Sequence, residues 1–315
     1  MKQLLKTSKI LRECGAAKHG AALLLALWAV IVISAAILIW AGYVRQTLIV
    51  AGDQQNDTEA RAQAHSGVWM GLHPLVSKET PALQMWAQSD PGFSVRMISE
   101  GSKLNVNALL GNGQGDPDPR KLDILERWLE SRGIDFNQRQ RMIDCMLDWI
   151  DADNLKRNNG QEDTLGYHPT NRGIFLDVDE IAQVAGTEAL TSQPGWKDDL
   201  TVDSNGPIDL TSADFHILRL LPGLGDAGIE RFLQWRRGDD GVDGTLDDPQ
   251  IQKMEDVQSF LGLNKTQWSQ LSGLVNLKDT TWRIIADGWA GNVHRQVEVV
   301  AVKGGQNPTI KRWKE

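Results

Sequence analysis

The sequence predicts an α+β fold: a long N-terminal helix, partly transmembrane, lies on a small antiparallel sheet, and a large helical domain is inserted in that sheet. An apolar segment without charges begins at residue 19 and passes into an amphipathic segment, with no proline before residue 74. Runs with strand-like patterning occur at residues 93–98 and 282–313. Between them, apolar residues have the spacing typical of helices. We therefore expect one sheet interrupted by a helical insertion.

The length and charge of the chain limit the kind of protein. Its 315 residues allow about two domains, and 41% are hydrophobic, enough for a buried core. The formal net charge of −8 argues against nucleic acid as a partner, because phosphate binding depends on basic surfaces. The two cysteines, Cys14 and Cys145, exclude a disulfide framework and a cysteine-rich zinc site.

The N-terminal segment has the properties of a membrane-spanning helix. From His19 to Val44 there is no Asp, Glu, Lys or Arg. As a helix, residues 21–44 would reach about 36 Å, against about 30 Å for the hydrocarbon core of a bilayer. Basic residues dominate the preceding segment, so the positive-inside rule predicts a cytoplasmic N-terminus and a translocated body. The alternative, a secretory signal peptide, usually has an apolar core of only about 7–15 residues.

The helix is expected to continue beyond the membrane to Leu72. Apolar residues recur mostly at four-residue steps over residues 45–72, and His73-Pro74 is the first strong helix breaker. A helix over residues 21–72 would be about 78 Å long. Its first half is apolar and its second half amphipathic, a combination that is rare in soluble globular domains.

The start of this helix resembles the processing site of type IV pilin-like proteins. Residues 19–28 read HGAALLLALW, in which a short basic leader ends in Gly and an apolar helix follows. More narrowly, the chain resembles the K-type minor pseudopilins of the type II secretion system. The resemblance implies a pilin-like fold and a leader over residues 1–20. It also implies that prepilin peptidase cleaves between Gly20 and Ala21, and that Ala21 becomes a methylated N-terminus.

Leu25 occupies the fifth position of the expected mature chain, where most pilins and pseudopilins have Glu. The K-type members also lack that Glu. A carboxylate in the bilayer is unfavourable unless it is paired, and in pilus models it pairs with the N-terminal amine of a neighbouring subunit. A subunit with no neighbour above it does not need the carboxylate, so Leu25 fits a place at the filament tip. It fits an ordinary membrane anchor equally well.

Two segments of the insertion carry the same resemblance. Residues 101–109, GSKLNVNAL, resemble an Asn-x-Asn segment of the K-type pseudopilins, and residues 148–167 resemble the family block DWxDxD…GxExxxxY. Apolar stripes predict two helices between residues 119 and 153, the second with Asn137 as its N-cap. Cys145 lies on the second stripe and is expected to be buried rather than reactive.

The block at residues 148–167 contains candidate metal ligands. Ca²⁺ prefers about six to eight oxygen ligands, several of them from carboxylates. Asp151, Asp153 and Glu162 stand at EF-hand positions 1, 3 and 12, but the residues at positions 5 and 6, Leu155 and Lys156, do not fit. We therefore expect a calcium site of another type, which would use Asp151, Asp153, Glu162 and Asp163, with Asn154 or Asn159 as further candidates. The resemblance implies calcium too; the alternative is a solvated acidic loop.

A second acidic loop, at residues 238–248, is a further candidate cation site. Asp239, Asp243 and Asp247 stand at positions 1, 5 and 9 of an EF-hand alignment, but Gly241 and Gln250 do not fit positions 3 and 12. The Asp-Gly pairs of this loop are equally typical of turns.

A helix-hairpin-helix pattern surrounds residues 222–225, PGLG. In DNA-binding proteins the amides of such a turn hold a phosphate. The membrane anchor, the translocated body and the acidic loop that follows argue against nucleic acid here. The K-type pseudopilins have such helical hairpins as packing units.

The last 35 residues predict the remaining strands. Residues 281–290 and 293–302 form a hairpin around Gly291-Asn292, and residues 308–313 add a third strand. The chain is thus expected to consist of a leader, a transmembrane segment, the first part of a pilin core, an inserted α-domain and the C-terminal core strands. Their ranges are 1–20, 21–44, 45–104, 105–279 and 280–315.

The sequence predicts a structural protein rather than an enzyme, because it has no HExxH, GxSxG, P-loop or CxxC motif. We expect a minor pseudopilin anchored once in the bacterial inner membrane, with a periplasmic body. It would assemble at the pseudopilus tip with other minor pseudopilins and the major pseudopilin, and support export of folded proteins. One alternative is a minor pilin of another type IV filament. Another is a membrane-anchored hydrolase in which Asp151, Asp153 and Glu162 bind a catalytic metal.

Overall fold

One helix, α1 (Lys2–Leu72), forms the N-terminal part of the molecule. The computed structural model describes residues 2–111, 117–245, 247–305 and 307–315, with the backbone alone for residues 2–20. Among these, α1 is the one helix long and apolar enough to cross a membrane. Its side chains are exposed over most of residues 21–55, whereas Ala60, Ala64, Val68 and Leu72 are buried. The predicted continuous helix to Leu72 is confirmed.

A four-stranded antiparallel sheet and a helical insertion follow α1. In chain order the further elements are β1 (Gly92–Ser99), β2 (Leu104–Asn105), α2 (Val106–Leu110), α3 (Pro119–Ser131), α4 (Phe136–Ile150), α5 (Glu188–Thr191), β3 (Leu200–Thr201), β4 (Ile208–Asp209), α6 (Phe215–Leu218), α7 (Asp226–Arg236), α8 (Met254–Leu261), α9 (Lys265–Gln270), β5 (Val275–Asn276), β6 (Thr281–Ala290), β7 (Val293–Val302) and β8 (Thr309–Lys314). Short 3-10 helices cover residues Pro81–Gln84, Glu100–Ser102 and Val178–Gln183. The sheet has the order β1-β6-β7-β8.

Helix α1 packs very closely on β6 because small residues line the contact. A Cβ atom on Gly288 would lie 2.3 Å from the carbonyl oxygen of Ala60 and 2.3 Å from the amide nitrogen of Ala64, so only glycine fits there. Further along the helix, Gly71 faces Ile284. The β6–β7 turn therefore lies nearer to the apolar first half of α1, whereas the start of β6 lies at the C-terminal end of α1.

A half-buried lysine stabilises that end of α1. The Nζ atom of Lys303 donates hydrogen bonds to the carbonyl oxygens of Gly71 and Val76, both at 2.6 Å. Carbonyl groups in the last turn of a helix have no partner within the helix, and a cation at this end also interacts favourably with the helix dipole. Burial lowers the pKa of Lys303 to about 8.

The insertion leaves the sheet after β1 and returns at β6, and it has a hydrophobic core of its own. This core contains Trp128, Phe175 and Phe232, and is separate from the core between α1 and the sheet. The long helix, the antiparallel sheet and the inserted helical domain confirm the predicted α+β, pilin-like fold class.

Buried carboxylates join the two connections between the sheet and the insertion. Glu100 accepts a hydrogen bond from the Nε atom of Arg283 at 2.6 Å and another from the hydroxyl of Thr201. Asp279 accepts from the backbone amide of Asn205 at 2.8 Å, while its own amide donates to Asp209 at 3.0 Å. The entry and the exit of the inserted domain are thus held together by hydrogen bonds shielded from water.

The predicted N-cap of α4 is wrong by two residues. Asp135, not Asn137, is the cap: its Oδ1 atom accepts from the amides of Asn137 at 3.0 Å and Gln138 at 3.2 Å. Both residue types are good N-caps, so the choice depends on where the chain turns after α3.

Candidate metal centre

Three buried carboxylates meet where α4 ends. Asp148 lies in the last turn of α4, Asp151 is its C-cap residue, and Glu162 comes back from the loop that follows. One oxygen of each lies within 4.8 Å of the others, and the three residues are 0%, 6% and 8% exposed. We call these three residues the carboxylate cluster.

The carboxylate cluster has oxygens without hydrogen-bond partners. Both carboxylate oxygens of Glu162 and the Oδ1 atom of Asp151 are buried and accept no hydrogen bond from the residues that the structure describes. Burying a charged oxygen without a partner is strongly unfavourable, so such atoms are rare in native proteins. These oxygens therefore fit a cation bound among the three side chains.

Arg157 is the one cation in direct contact with the cluster among the described residues. Its Nη1 atom donates to Asp148 Oδ1 at 2.7 Å and to Asp151 Oδ2. With all groups ionised, three carboxylates and one guanidinium have a formal charge of −2. The cluster therefore lacks positive charge even when Arg157 is in place.

The protonation of the cluster reflects this uncompensated charge. Burial, together with the negative charges of Asp148, Asp151 and Asp153, raises the pKa of Glu162 to about 7. Burial also raises the pKa of Asp151, although Arg157 acts in the opposite direction. Without a further cation, the protein environment therefore disfavours full ionisation of the cluster.

The cluster differs from the ligand set that the sequence predicts. Asp151 and Glu162 are in it, and Asp148 joins them because it lies three residues before Asp151, on the same side of α4. Asp153 and Asp163 lie outside it. Asp153 accepts from the amide of Leu155 at 2.7 Å, and exposed Asp163 contacts His168 Nδ1 at 2.5 Å.

The further candidate Asn159 is also engaged elsewhere, because its backbone and side-chain nitrogens both donate to Asp144 at 3.0 Å. Asn154 is exposed. The signal for Asp148 was its place at the start of the DWxDxD motif.

The second acidic loop brings no such group together in the described ranges. Asp243 pairs with Arg236 at 3.1 Å and with Lys78 at 3.3 Å. Asp247 accepts from the amides of Asp239 at 2.8 Å and Asp240 at 3.1 Å. The carboxylates are thus engaged in turns and ion pairs, as the turn alternative predicts, and the calcium prediction for Asp239, Asp243 and Asp247 has no geometric support.

Other residues of the block at 148–167 also have structural roles, and Gly160 lies directly against the cluster. A Cβ atom on Gly160 would lie 1.9 Å from Asp148 Oδ2, so only glycine allows this approach. The ring of Tyr167 lies 5.7 Å from that of Trp149, and its hydroxyl accepts from the amide of Ala185 at 3.3 Å.

The asparagines of the other motif also have structural roles. Asn105 caps α2 by accepting from the amide of Ala108 at 3.0 Å, and Asn107 bonds both the amide and the carbonyl of Phe175. These contacts explain why amide side chains stand at both positions.

The donor set suits a hard cation. Carboxylate oxygens at flexible distances are the ligands that Ca²⁺ prefers, whereas zinc sites usually contain His or Cys. Cys145 is buried nearby, and burial raises the pKa of its thiol to about 11, which keeps the thiol protonated at neutral pH. That the chain is not an enzyme stays a prediction.

The predicted processing site lies within α1. The helix is continuous through Gly20 and Ala21, and the side chain of Leu25 is 72% exposed. An apolar side chain exposed in this segment is consistent with membrane anchoring.

Comparison with known proteins agrees with this architecture. The family model described as type II secretion system (T2SS), protein K, matches residues 102–193, which include the carboxylate cluster. The search of curated proteins gave no match. A solved structure, the GspK-GspI-GspJ complex from the enterotoxigenic Escherichia coli type 2 secretion system, has a similar fold, with a TM-score of 0.56 and 14% identity. The match covers 86% of this chain and 98% of that chain.

The family-model match falls on the part of the chain that carries the sequence motifs. Residues 102–193 lie in the insertion of a pilin-like core, where the sequence motifs of the K-type pseudopilins also occur. The resemblance to the K-type minor pseudopilins of the type II secretion system is confirmed by the family model over residues 102–193, and the solved structure shows a similar fold.

Proposed function

We propose that this minor pseudopilin occupies the tip of the pseudopilus and supports the export of folded proteins across the outer membrane. This proposal is supported by the position of the inserted domain. It lies at one end of the sheet, and that end is the one farther from the membrane segment. The function is structural, and no catalytic step is assigned.

The packing of α1 gives this position. Gly288 lies against Ala60 and Ala64, whereas Ile284 lies further along the helix, against Gly71. In the β1–β6 pair, Ser99 faces Trp282, so the chain leaves and re-enters the sheet near the C-terminal end of α1. A pilin-like subunit stacked beyond this one would meet the inserted domain.

The expected partners of this chain are other pseudopilin subunits. The matched solved structure is a complex of GspK with GspI and GspJ, which supports other minor pseudopilins as the neighbours of this chain. The major pseudopilin would continue the filament towards the membrane, with the helices packed along their exposed apolar segments. Leu25 fits the end of such a stack because it needs no pairing amine from a subunit above.

Localising the chain on purified pseudopili tests the tip position. An epitope at the C-terminus should be labelled by gold at one end of each filament, whereas the same epitope on the major pseudopilin should be labelled along the shaft. Label from this chain spaced along the shaft would contradict the proposal.

We further propose that the N-terminus is cytoplasmic, the body periplasmic, and the leader removed by prepilin peptidase. Mass spectrometry of the chain from the membrane should then give a mature N-terminus at Ala21, with one added methyl group. A strain without the peptidase should give the uncleaved chain. Identical masses in the two strains would contradict cleavage between Gly20 and Ala21.

Calcium is the cofactor we propose for the carboxylate cluster. Asp148, Asp151 and Glu162 would hold the ion, which would supply the charge that their unpartnered oxygens lack. Binding to the folded state alone stabilises a protein by about 2.7 kcal/mol when free calcium is 100 times Kd. The melting temperature of the full chain in detergent should therefore rise with calcium.

The matched variants are Asp148→Asn and Asp163→Asn. The first removes a carboxylate of the cluster and should abolish the rise in melting temperature. The second removes an exposed carboxylate outside the cluster and should leave it unchanged. The absence of any calcium effect on the unmodified chain would refute the site.

A further inference from the structure

We propose that Arg157 and calcium compete for the same carboxylate oxygens, so that the guanidinium occupies the cluster without calcium and leaves when calcium binds. The inference rests on the calcium site proposed above. It assigns Arg157 the role of an internal competitor that sets the affinity of that site.

The position of one nitrogen atom carries the proposal. Nη1 of Arg157 contacts Asp148 Oδ1 at 2.7 Å and also contacts Asp151 Oδ2, so it lies between two of the three carboxylates. Oxygen ligands lie about 2.3–2.6 Å from a calcium ion. A calcium ion bound to the same two residues would come into contact with Nη1, and two cations in contact repel each other. The two occupants are therefore mutually exclusive at these oxygens.

Arg157 is the member of the pair that lies outside the helix. Asp148 is fixed by α4, whereas Arg157 lies on the loop after it, outside any helix or strand, and its side chain is 29% exposed. A rotation about its side-chain bonds would bring the guanidinium into water.

The unpartnered oxygens show why calcium is the better occupant. Arg157 contacts Asp148 and Asp151 but not Glu162. Glu162 is only 8% exposed, and both its carboxylate oxygens lack a hydrogen-bond partner among the described residues. A divalent ion that takes six or more oxygens would use Glu162 as well and would neutralise twice the charge. The guanidinium is therefore an incomplete substitute, which keeps the carboxylates together until calcium arrives.

Calcium titration of the full chain in detergent, followed by isothermal calorimetry, tests the competition. Arg157→Gln removes the competitor, so calcium should bind at least about tenfold more tightly, since hydrogen bonds to charged groups typically contribute that much or more. The same variant should melt at a lower temperature than the unmodified chain when calcium is absent. Arg172→Gln is the matched control: Arg172 lies on the same loop and pairs with Glu180 at 2.6 Å, away from the cluster. Its calcium affinity should equal that of the unmodified chain.

The outcomes separate this inference from the site on which it rests. Equal or weaker calcium binding by Arg157→Gln, with normal binding by the unmodified chain, would overturn the competition and leave the calcium site standing. No heat of binding in either protein would overturn the site and the competition together. Folding of Arg157→Gln only in the presence of calcium would support the competition.

A measurement on the unmodified chain covers the case in which the variant does not fold. Phenylglyoxal modifies accessible guanidinium groups, and peptide mass spectrometry reports the modified fraction of each arginine. Calcium should increase the modification of Arg157 and leave that of Arg172 unchanged. Constant or reduced modification of Arg157 at saturating calcium would overturn the exchange.

Discussion

Replacing Glu162 by Gln should have opposite effects on stability with and without calcium. Glu162 is buried, its carboxylate oxygens have no hydrogen-bond partner, and two further carboxylates surround it. In calcium-free buffer at pH 8 the ionised side chain is therefore unfavourable, and the neutral isostere should stabilise the fold. With calcium, the same change removes a ligand and should weaken the stabilisation by the ion.

The magnitude follows from the pKa of the side chain. Burial and neighbouring charges raise it from 4.5 to about 7, which corresponds to at most about 3 kcal/mol between the protonated and ionised forms. A buried amide without partners is itself unfavourable by about 1–3 kcal/mol. We therefore expect a net gain of at most about 2 kcal/mol for Glu162→Gln at pH 8 without calcium.

The sign of the pH dependence is fixed by the same shift. The folded state holds the proton of Glu162 up to about pH 7, whereas the unfolded chain releases it near pH 4.5. The stability from this group is therefore fully present below about pH 4.5 and is lost as the pH rises to about 7. Glu162→Gln should not show this loss.

Urea unfolding of the full chain in detergent, followed by tryptophan fluorescence in calcium-free buffer, measures the effect. Asp163→Asn is the control, because Asp163 is exposed and lies outside the carboxylate cluster. A lower unfolding free energy for Glu162→Gln at pH 8 without calcium would refute the reasoning, since it would mean that the ionised carboxylate is already stabilised by the protein.

Three further variants test the packing. Gly288→Ala should lower the unfolding free energy by about 3 kcal/mol, because its Cβ atom would lie 2.3 Å from the backbone of α1. Gly305→Ala is the control: a Cβ atom at Gly305 would meet no described atom within 4 Å, so the unfolding free energy in urea should change little. Lys303→Met leaves two carbonyl groups without their donor and should destabilise by about 1–3 kcal/mol in the same assay. Arg283→Met leaves the buried carboxylate of Glu100 without its cation and should lower the unfolding free energy by about 3–5 kcal/mol. Proteolysis between the sheet and the insertion should then be faster. An unchanged cleavage rate would argue against a stabilising role of the ion pair.

Most of the fold could be predicted from local patterns. The charge-free run after His19 and the first proline at position 74 give the length of α1, and the Gly291-Asn292 turn gives the β6–β7 hairpin. These features depend on residues close together in the sequence. The cap of α4 was mispredicted because Asp135 and Asn137 are both good caps, and local preference does not choose between them.

The composition of the carboxylate cluster was predictable only in part, and its binding of calcium stays a prediction. The acidic block indicated a cation site, and Asp151 and Glu162 are in the carboxylate cluster. Which other carboxylate joins them depends on the last turn of α4 and on the return of the loop, so Asp148 replaced Asp153 and Asp163. Arg157 had no sequence signal, because a basic residue in an acidic loop usually faces water.

Hydrophobic periodicity, charge and motif spacing are properties of short segments, so they predict the long apolar helix, the strands and the family resemblance. The location of the inserted domain, the meeting of three carboxylates and the cation that contacts them follow only from the three-dimensional fold. These depend on contacts between distant residues, such as Gly288 with α1 and Glu162 with Asp148. Such contacts form only when the helix, the sheet and the insertion pack together, and no local pattern specifies their partners.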